Sequence, residues 1–178
     1  MKFNVNQNEL QKSLGYCQGV IEKRSTLPIL SNILLDAARS RLKIIATDLD
    51  LIFINEIRNV EILEEGNTTT VSSTLYDIIR KFNSGKKINF NQTAENKIQL
   101  ESEKSLFNLN CLSAAEFPVT EEDFNENVFS LESKQLLKLL NKCKFSISND
   151  ETRHYLSGIY FHQAQKGDKT YLTAVATD

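Results

Sequence analysis

The chain has 178 residues, 40% hydrophobic and 25% charged, with only six glycines and two prolines. This balance excludes a collagen-like or Pro/Gly-rich disordered chain, and no apolar run approaches the ~18 residues that a membrane span needs. The net charge of −2 does not mark a nucleic-acid binder, but it hides an asymmetry: 14 basic and 18 acidic residues over 1–126, against 7 and 5 over 127–178.

Residues 2–5 predict a short strand. Asn6, with Glu9 three positions on, has the form of a capping box. Leu10, Leu14, Cys17 and Ile21 then recur at helical spacing, and Gly19 and residues 24–28 close that helix. Two strands are expected at 30–37 and 42–47, joined by a turn at Arg39-Ser40, followed by β-rich runs at 51–57 and 68–71. Thr74 with Asp77 is expected to cap a second helix, whose apolar positions are Leu75, Ile78, Ile79 and Phe82 and past whose end Gly85 sits. Arg80 and Lys81 are expected on the opposite side of that helix from Ile78 and Phe82. Strands follow at 87–92, 97–102 and 106–112; in the last, Phe107, Leu109 and Cys111 alternate with Asn108 and Asn110. Residues 116–126 are an acidic connector holding Pro118. The order βαβββ(β)αβββ is an α+β arrangement of two similar halves, each a helix with a mostly antiparallel sheet.

The chain also resembles itself at a shift of 126 residues. Phe3-Asn4-Val5 pairs with Phe129-Ser130-Leu131, and Leu10, Lys12, Leu14 and Cys17 pair with Leu136, Lys138, Leu140 and Cys143. Leu30-Ser31-Asn32-Ile33 pairs with Leu156-Ser157-Gly158-Ile159. After a further shift of four, taken up in a turn around Gly167, Ala46-Thr47-Asp48 pairs with Ala176-Thr177-Asp178. The shared register implies a domain followed by the opening of a second copy, so the sequence is expected to be a fragment of a longer chain or a truncated product. In that second copy Lys134, Lys138 and Lys142 fall on one stripe of a helix, opposite Leu136, Leu137, Leu140 and Cys143. Lys12, Lys23 and Arg24 lie along or just after the first helix. Such stripes suit loose attraction to phosphate, through charge and not through base contacts.

The cysteines Cys17, Cys111 and Cys143 are odd in number and far apart, with no CxxC, which argues against a disulfide framework or zinc knuckle. The N-terminus turns polar at once, so no signal peptide is expected, and a reducing cytoplasm is the expected location.

The stretch Arg24-Ser25-Thr26-Leu27-Pro28-Ile29-Leu30-Ser31-Asn32-Ile33-Leu34-Leu35, followed by Ala46-Thr47-Asp48-Leu49-Asp50, resembles the N-terminal signature of the bacterial DNA polymerase III beta subunit, the sliding-clamp family. Ala114-Ala115-Glu116-Phe117-Pro118 resembles the end of that family's first domain. Arg153-His154-Tyr155-Leu156-Ser157-Gly158 with Val175-Ala176-Thr177-Asp178 resembles its second. The resemblance implies a DNA-clamp fold, each domain two helices packed on curved, mostly antiparallel sheets, with the second copy incomplete. It implies a clamp N-terminal domain at 1–120, a linker at 121–128, a partial central domain at 129–178 and an absent C-terminal domain. The family forms head-to-tail dimeric rings around double-stranded DNA, without sequence preference, and tethers the polymerase III alpha subunit; a clamp loader is a further partner. The subunit is non-catalytic, needs no cofactor and no metal, and is not a membrane protein. Carried over position by position, the resemblance implies DNA contacts at Arg24, Ser73, Asn149, His154 and Tyr155. It places Leu156 and Thr177 at the lip of a peptide-binding pocket, and Ile78, Phe82, Phe107 and Leu109 in the subunit interface.

Two other readings stand beside it. One is a remnant of a clamp that cannot close a ring. The other is a carboxylate-dependent α+β hydrolase using Asp48 and Asp50; a structural turn is the preferred role for that pair, since Asp178 repeats Asp48. His154 and His162 are the chain's two histidines and its candidate histidine pair for a metal, and no Ser-His-Asp or P-loop spacing accompanies them.

Overall fold

The computed structural model describes residues 1–21, 27–118 and 130–178, which fall into two units, Met1–Glu121 and Glu122–Asp178. The first holds β1 (Lys2–Asn6), α1 (Gln7–Cys17), β2 (Asn32–Ala38), β3 (Arg41–Thr47), β4 (Ile52–Ile57), β5 (Val60–Glu64), β6 (Gly66–Val71), α2 (Ser72–Ile79), β7 (Lys87–Ala94), β8 (Lys97–Ser102) and β9 (Ser105–Leu112). The second holds α3 (Ser133–Cys143), β10 (Tyr160–Lys166) and β11 (Lys169–Val175).

Unit 1 is built twice over. β1 runs straight into α1, and β6 straight into α2; α2 is followed by the three strands β7–β9, and α1 by β2–β4 with β5 as an additional strand before β6. The sheet order is β4-β3-β2-β6-β9-β8-β7-β1-β5, with every pairing antiparallel. Its two parts mirror each other: β6 lies on the edge of β2, while β1 lies on the edge of β7. Each half therefore sends its leading strand into the other half's sheet. β9 pairs with both β8 and β6, whereas β4 pairs only with β3, and the chain restarts as β5 to pair with β1.

The helices share one face of this sheet. Gln7, at the start of α1, donates through Nε2 to the Ile79 carbonyl at the end of α2 (2.9 Å), and Gln18, past the end of α1, donates to Ser72 Oγ at the start of α2 (2.8 Å). Those two bonds fix the helices antiparallel. Beneath them lies the core: Leu10, Leu14 and Cys17 of α1, Leu75 and Ile79 of α2, and the sheet residues Phe3, Ile33, Leu35, Leu42, Ile44, Ile88, Phe90, Ile98 and Leu100, all buried. Phe3 and Phe90 stack with centroids 4.6 Å apart across the β1–β7 pairing, at the point where the halves interlock. Period-2 alternation sends Leu34 and Ile45 to the opposite face. There Phe117, from the turn after β9, covers them.

Several expected elements shift. Asn6 does cap α1, its Oδ1 accepting from Asn8 N at 2.9 Å, but the Glu9 carboxylate accepts from Asn59 Nδ2 at 3.0 Å, so it serves the β4–β5 connection. The cap of the second helix at Thr74 and Asp77 is corrected: α2 begins at Ser72 without a side-chain cap, because β6 delivers the backbone directly into the helix. Arg80 and Lys81 lie past the end of α2 and not on its side, and Arg80 pairs with Asp77 at 3.6 Å. β5 was not expected at all. It is an edge strand whose Glu61 and Glu64 break the apolar pattern, and such charges keep an open edge from pairing with other chains.

In unit 2, α3 starts and ends 126 residues after α1, and β10 and β11 form an antiparallel hairpin as β2 and β3 do. The repeat thus extends to the elements themselves. Phe129 and the predicted linker 121–128 lie outside the described residues.

The β2–β3 turn carries Arg39 at φ 50° and Ser40 at φ 62°. Two successive left-handed residues define the turn type that favours Asn-Gly. Replacing Arg39→Asn and Ser40→Gly together is expected to raise the unfolding free energy by about 1 kcal/mol, read by urea denaturation. A loss of stability would contradict this turn.

Candidate nucleic-acid interface

With Leu10, Leu14 and Cys17 turned to the core, the helical repeat sends positions 8, 12 and 16 outward. Asn8, Lys12 and Tyr16 are all exposed. With Gln11, Gly15 and Tyr76 of α2 they line an open groove of about 480 Å³ between the antiparallel helices. The outward stripe of α3 keeps the same register: Lys134, Lys138 and Lys142 stand 126 residues after Asn8, Lys12 and Tyr16, and all three are exposed. Among the described residues no ion pair neutralises them. The stripe is therefore polar with one cation on α1 and fully cationic on α3. Asn8 and Tyr16 were missed as members of this surface, although the lysine stripe and the 126-residue shift together point to them.

Arg24, with Lys23, lies outside the described residues. Ser73 is exposed in the first turn of α2. Asn149, His154, Tyr155 and Leu156 are gathered by one loop, closed where Ser148 N donates to the Leu156 carbonyl at 3.2 Å. Asp150 organises it. Its Oδ1 accepts from the Thr152 amide (2.9 Å) and hydroxyl (2.6 Å), and its Oδ2 accepts from Arg153 Nε (2.9 Å). These bonds from Thr152, and then the Arg153 guanidinium, hold the Asp150 carboxyl below its ordinary range. Asn149, exposed beside it, keeps its side chain toward solvent, as do His154 and Tyr155, while Leu156 is half-buried. Thr177 is exposed beyond the end of β11, outside that loop.

Of the four apolar residues expected in a subunit interface, Phe82 and Leu109 pack on the unit's own core, Ile78 is half-buried and Phe107 is exposed. Phe107 meets Phe82 edge-on, with centroids 5.7 Å apart. Together they form a half-covered apolar patch linking the end of α2 to β9.

Asp48 does not form a reactive carboxylate pair with Asp50. Its Oδ1 accepts from the Asp50 and Leu51 amides at 3.1 and 2.7 Å, which builds the β3–β4 turn around Leu49 at φ 83°. Cys17 and Cys111 are core residues; burial pushes the Cys17 thiol up to about 12. Cys143 is half-buried, its Sγ donating to the Ala174 carbonyl at 3.4 Å.

A family profile described as "DNA polymerase III beta subunit, N-terminal domain" matches residues 1–121. Among curated relatives, the chain is 40% identical over 179 residues to the beta sliding clamp of Caulobacter vibrioides, covering 100% of this chain and 48% of that one. It is 33% identical to the Escherichia coli beta sliding clamp, covering 100% and 47%. The solved structure of Caulobacter crescentus pol III beta superposes with a TM-score of 0.93 at 40% identity, covering 100% of this chain and 48% of that one. The DNA polymerase III subunit beta of Pseudomonas aeruginosa does so with a TM-score of 0.90 at 30% identity, covering 100% and 47%. The chain spans about half the length of the curated relatives it matches.

A depressed Asp150 pKa means that its bonds support the loop above the unfolded value and are lost as pH falls through the folded one. An NMR titration is expected to place Asp150 below the usual ~3.9, and Thr152→Val to move it back upward. A midpoint at or above the usual value would contradict this loop geometry.

Proposed function

The chain belongs to the DNA polymerase III beta-subunit family, and from that membership we propose that it serves DNA replication as a sliding-clamp subunit, a non-catalytic processivity factor in the cytoplasm. The observation that carries this reading is the common register of the outward stripes Asn8–Lys12–Tyr16 and Lys134–Lys138–Lys142. Residues 1–120 are then the N-terminal clamp domain, 121–128 a linker and 129–178 the opening of the central domain. Helices placed across one face of a sheet present their polar sides to duplex DNA, and the sheets face away from it.

Confinement inside a ring replaces tight contact, so the lining needs positive charge enough to attract phosphate without gripping it. Three lysines on one helix that no ion pair among the described residues neutralises, against a single lysine on α1, suit that requirement. Bases are not read; an exposed lysine stripe reaches the backbone and carries no donor–acceptor code. In the same reading Arg24, Ser73, Asn149, His154 and Tyr155 face the duplex, with His154 and Tyr155 offering rings and Asn149 an exposed amide beside the Asp150 turn. Leu156 and Thr177 belong to the lip of a pocket for polymerase and clamp-loader peptides. The patch formed by Ile78, Phe82, Phe107 and Leu109 meets the next subunit of a head-to-tail ring. No step needs a catalytic group or cofactor, and Asp48 is already committed to its turn.

The test is fluorescence anisotropy with two duplexes of unrelated sequence over a salt series. Weak binding, equal for both duplexes and falling with salt, is expected. Replacing Lys134, Lys138 and Lys142 by alanine is expected to reduce the log–log salt slope by about 2–3, at roughly 0.9 per phosphate contact. No binding, a sequence preference or an unchanged slope would contradict the reading.

A further inference from the structure

Two grooves flank the outward stripe of α1, and Lys12 and Tyr16 form the ridge between them. Both grooves lie within unit 1. The first, about 400 Å³, separates α1 from the end of β4 and carries two carboxylates, Glu9 and Glu56, together with Arg58. The second is the groove of about 480 Å³ between α1 and α2, and no acidic side chain lines it. An anion approaching the ridge thus meets carboxylates on one side, and only neutral groups and a cation on the other.

The inter-helix groove also holds donors that the fold leaves unused. Gly15, with no side chain, leaves room for Tyr76 of α2 to lie against α1. The Tyr76 hydroxyl and ring edge stand 3.9 and 3.8 Å from the point that a Cβ on residue 15 would occupy. That hydroxyl has no hydrogen-bond partner among the described residues. Gln11 Oε1 accepts from Gln7 Nε2 at 2.7 Å, and the same Nε2 donates to the Ile79 carbonyl. The Gln11 carbonyl is thereby engaged, while its Nε2 has no partner among the described residues. Nor does Lys12 take part in an ion pair among them.

We propose that this groove seats a backbone phosphate of duplex DNA, with Lys12 supplying charge and the Tyr76 hydroxyl and Gln11 Nε2 donating to the phosphate oxygens. The contact rests on the reading that the helices face the duplex, and it names the residues through which unit 1 takes part. Lys, Gln and Tyr are ordinary donors to phosphate, and such contacts position a duplex without reading its sequence. The groove is continuous with the outward stripe, since Lys12 and Tyr16 belong to both. By the internal repeat, α3 has Leu137 and Asn141 where α1 has Gln11 and Gly15. The two units therefore hold the backbone differently: α3 through three cations, unit 1 through one cation and two neutral donors. This division lets unit 1 contribute with a single lysine on its stripe.

Anisotropy over a salt series separates the two kinds of contact. Tyr76→Phe keeps the ring against Gly15 and removes only the hydroxyl. It is expected to weaken duplex binding roughly three- to tenfold, as for one hydrogen bond to a charged acceptor, and to leave the log–log salt slope unchanged. Lys12→Ala is expected to lower that slope by about 0.9. NMR of the unsubstituted chain locates the contact without any variant. On adding duplex, the side-chain amide signals of Gln11 are expected to shift, and those of Asn55, in the carboxylate-bearing groove, to stay in place. Binding that Tyr76→Phe leaves unchanged, or shifts at Asn55 and not at Gln11, would overturn this contact while leaving the DNA-facing reading intact. A chain that binds no duplex at all would overturn both.

Discussion

The structure of unit 1 depends on a reciprocal loan of strands. β1 is continuous with α1, yet its hydrogen bonds go to β7; β6 is continuous with α2, yet its longest pairing is with β2. Neither half can complete its sheet without the other. The Phe3–Phe90 stack sits at one of these crossings, with both rings buried, so the apolar core and the backbone ladder close at the same place. Because each helix begins where its lent strand ends, the loan also fixes where the helices lie. They end side by side and antiparallel on one face, with their polar stripes pointing away from the sheet.

That placement gives the charge pattern a spatial meaning. A net charge of −2 describes nothing useful while the residues are taken as a string. Once α1 and α3 are seen in one register, Lys134, Lys138 and Lys142 become a repeat of Asn8, Lys12 and Tyr16 with cations substituted throughout. Several acidic residues of unit 1 are engaged on its strands and turns: Glu61 binds Lys87 and Asn4, Glu56 binds Arg41, and Asp48 holds the β3–β4 turn.

Much of this was legible in the sequence, and the gaps have physical causes. Period-3.6 spacing of Leu10, Leu14 and Cys17 marked α1, and the alternation ending at Cys111 marked β9, because both elements bury one face. β5 was invisible because an edge strand with Glu61 and Glu64 has no clean alternation. The start of α2 was misplaced because capping rules assume a loop before the helix, and β6 supplies none. The loan of strands was also out of reach, since a strand's pairing partner is a non-local choice that no local pattern encodes. The lysine stripe and the repeat are both legible, but Asn8 and Tyr16 carry no charge to mark them, and only the common register of α1 and α3 brings them into the stripe. Asn149, His154, Tyr155 and Leu156 fall close in sequence. That they share one loop follows from Asp150, whose cap was hidden among several polar neighbours.

The most direct test of the interlock is native-state hydrogen exchange on the whole chain. Amides of β1, β2, β6 and β7 are expected to exchange through one common opening, with the same free energy and the same denaturant dependence, because neither half survives the departure of the other's strand. If the β2–β3–β4 amides opened at a distinctly lower free energy while β7 and β8 stayed protected, the halves would be independent and the account of how the helical face is held in place would be wrong.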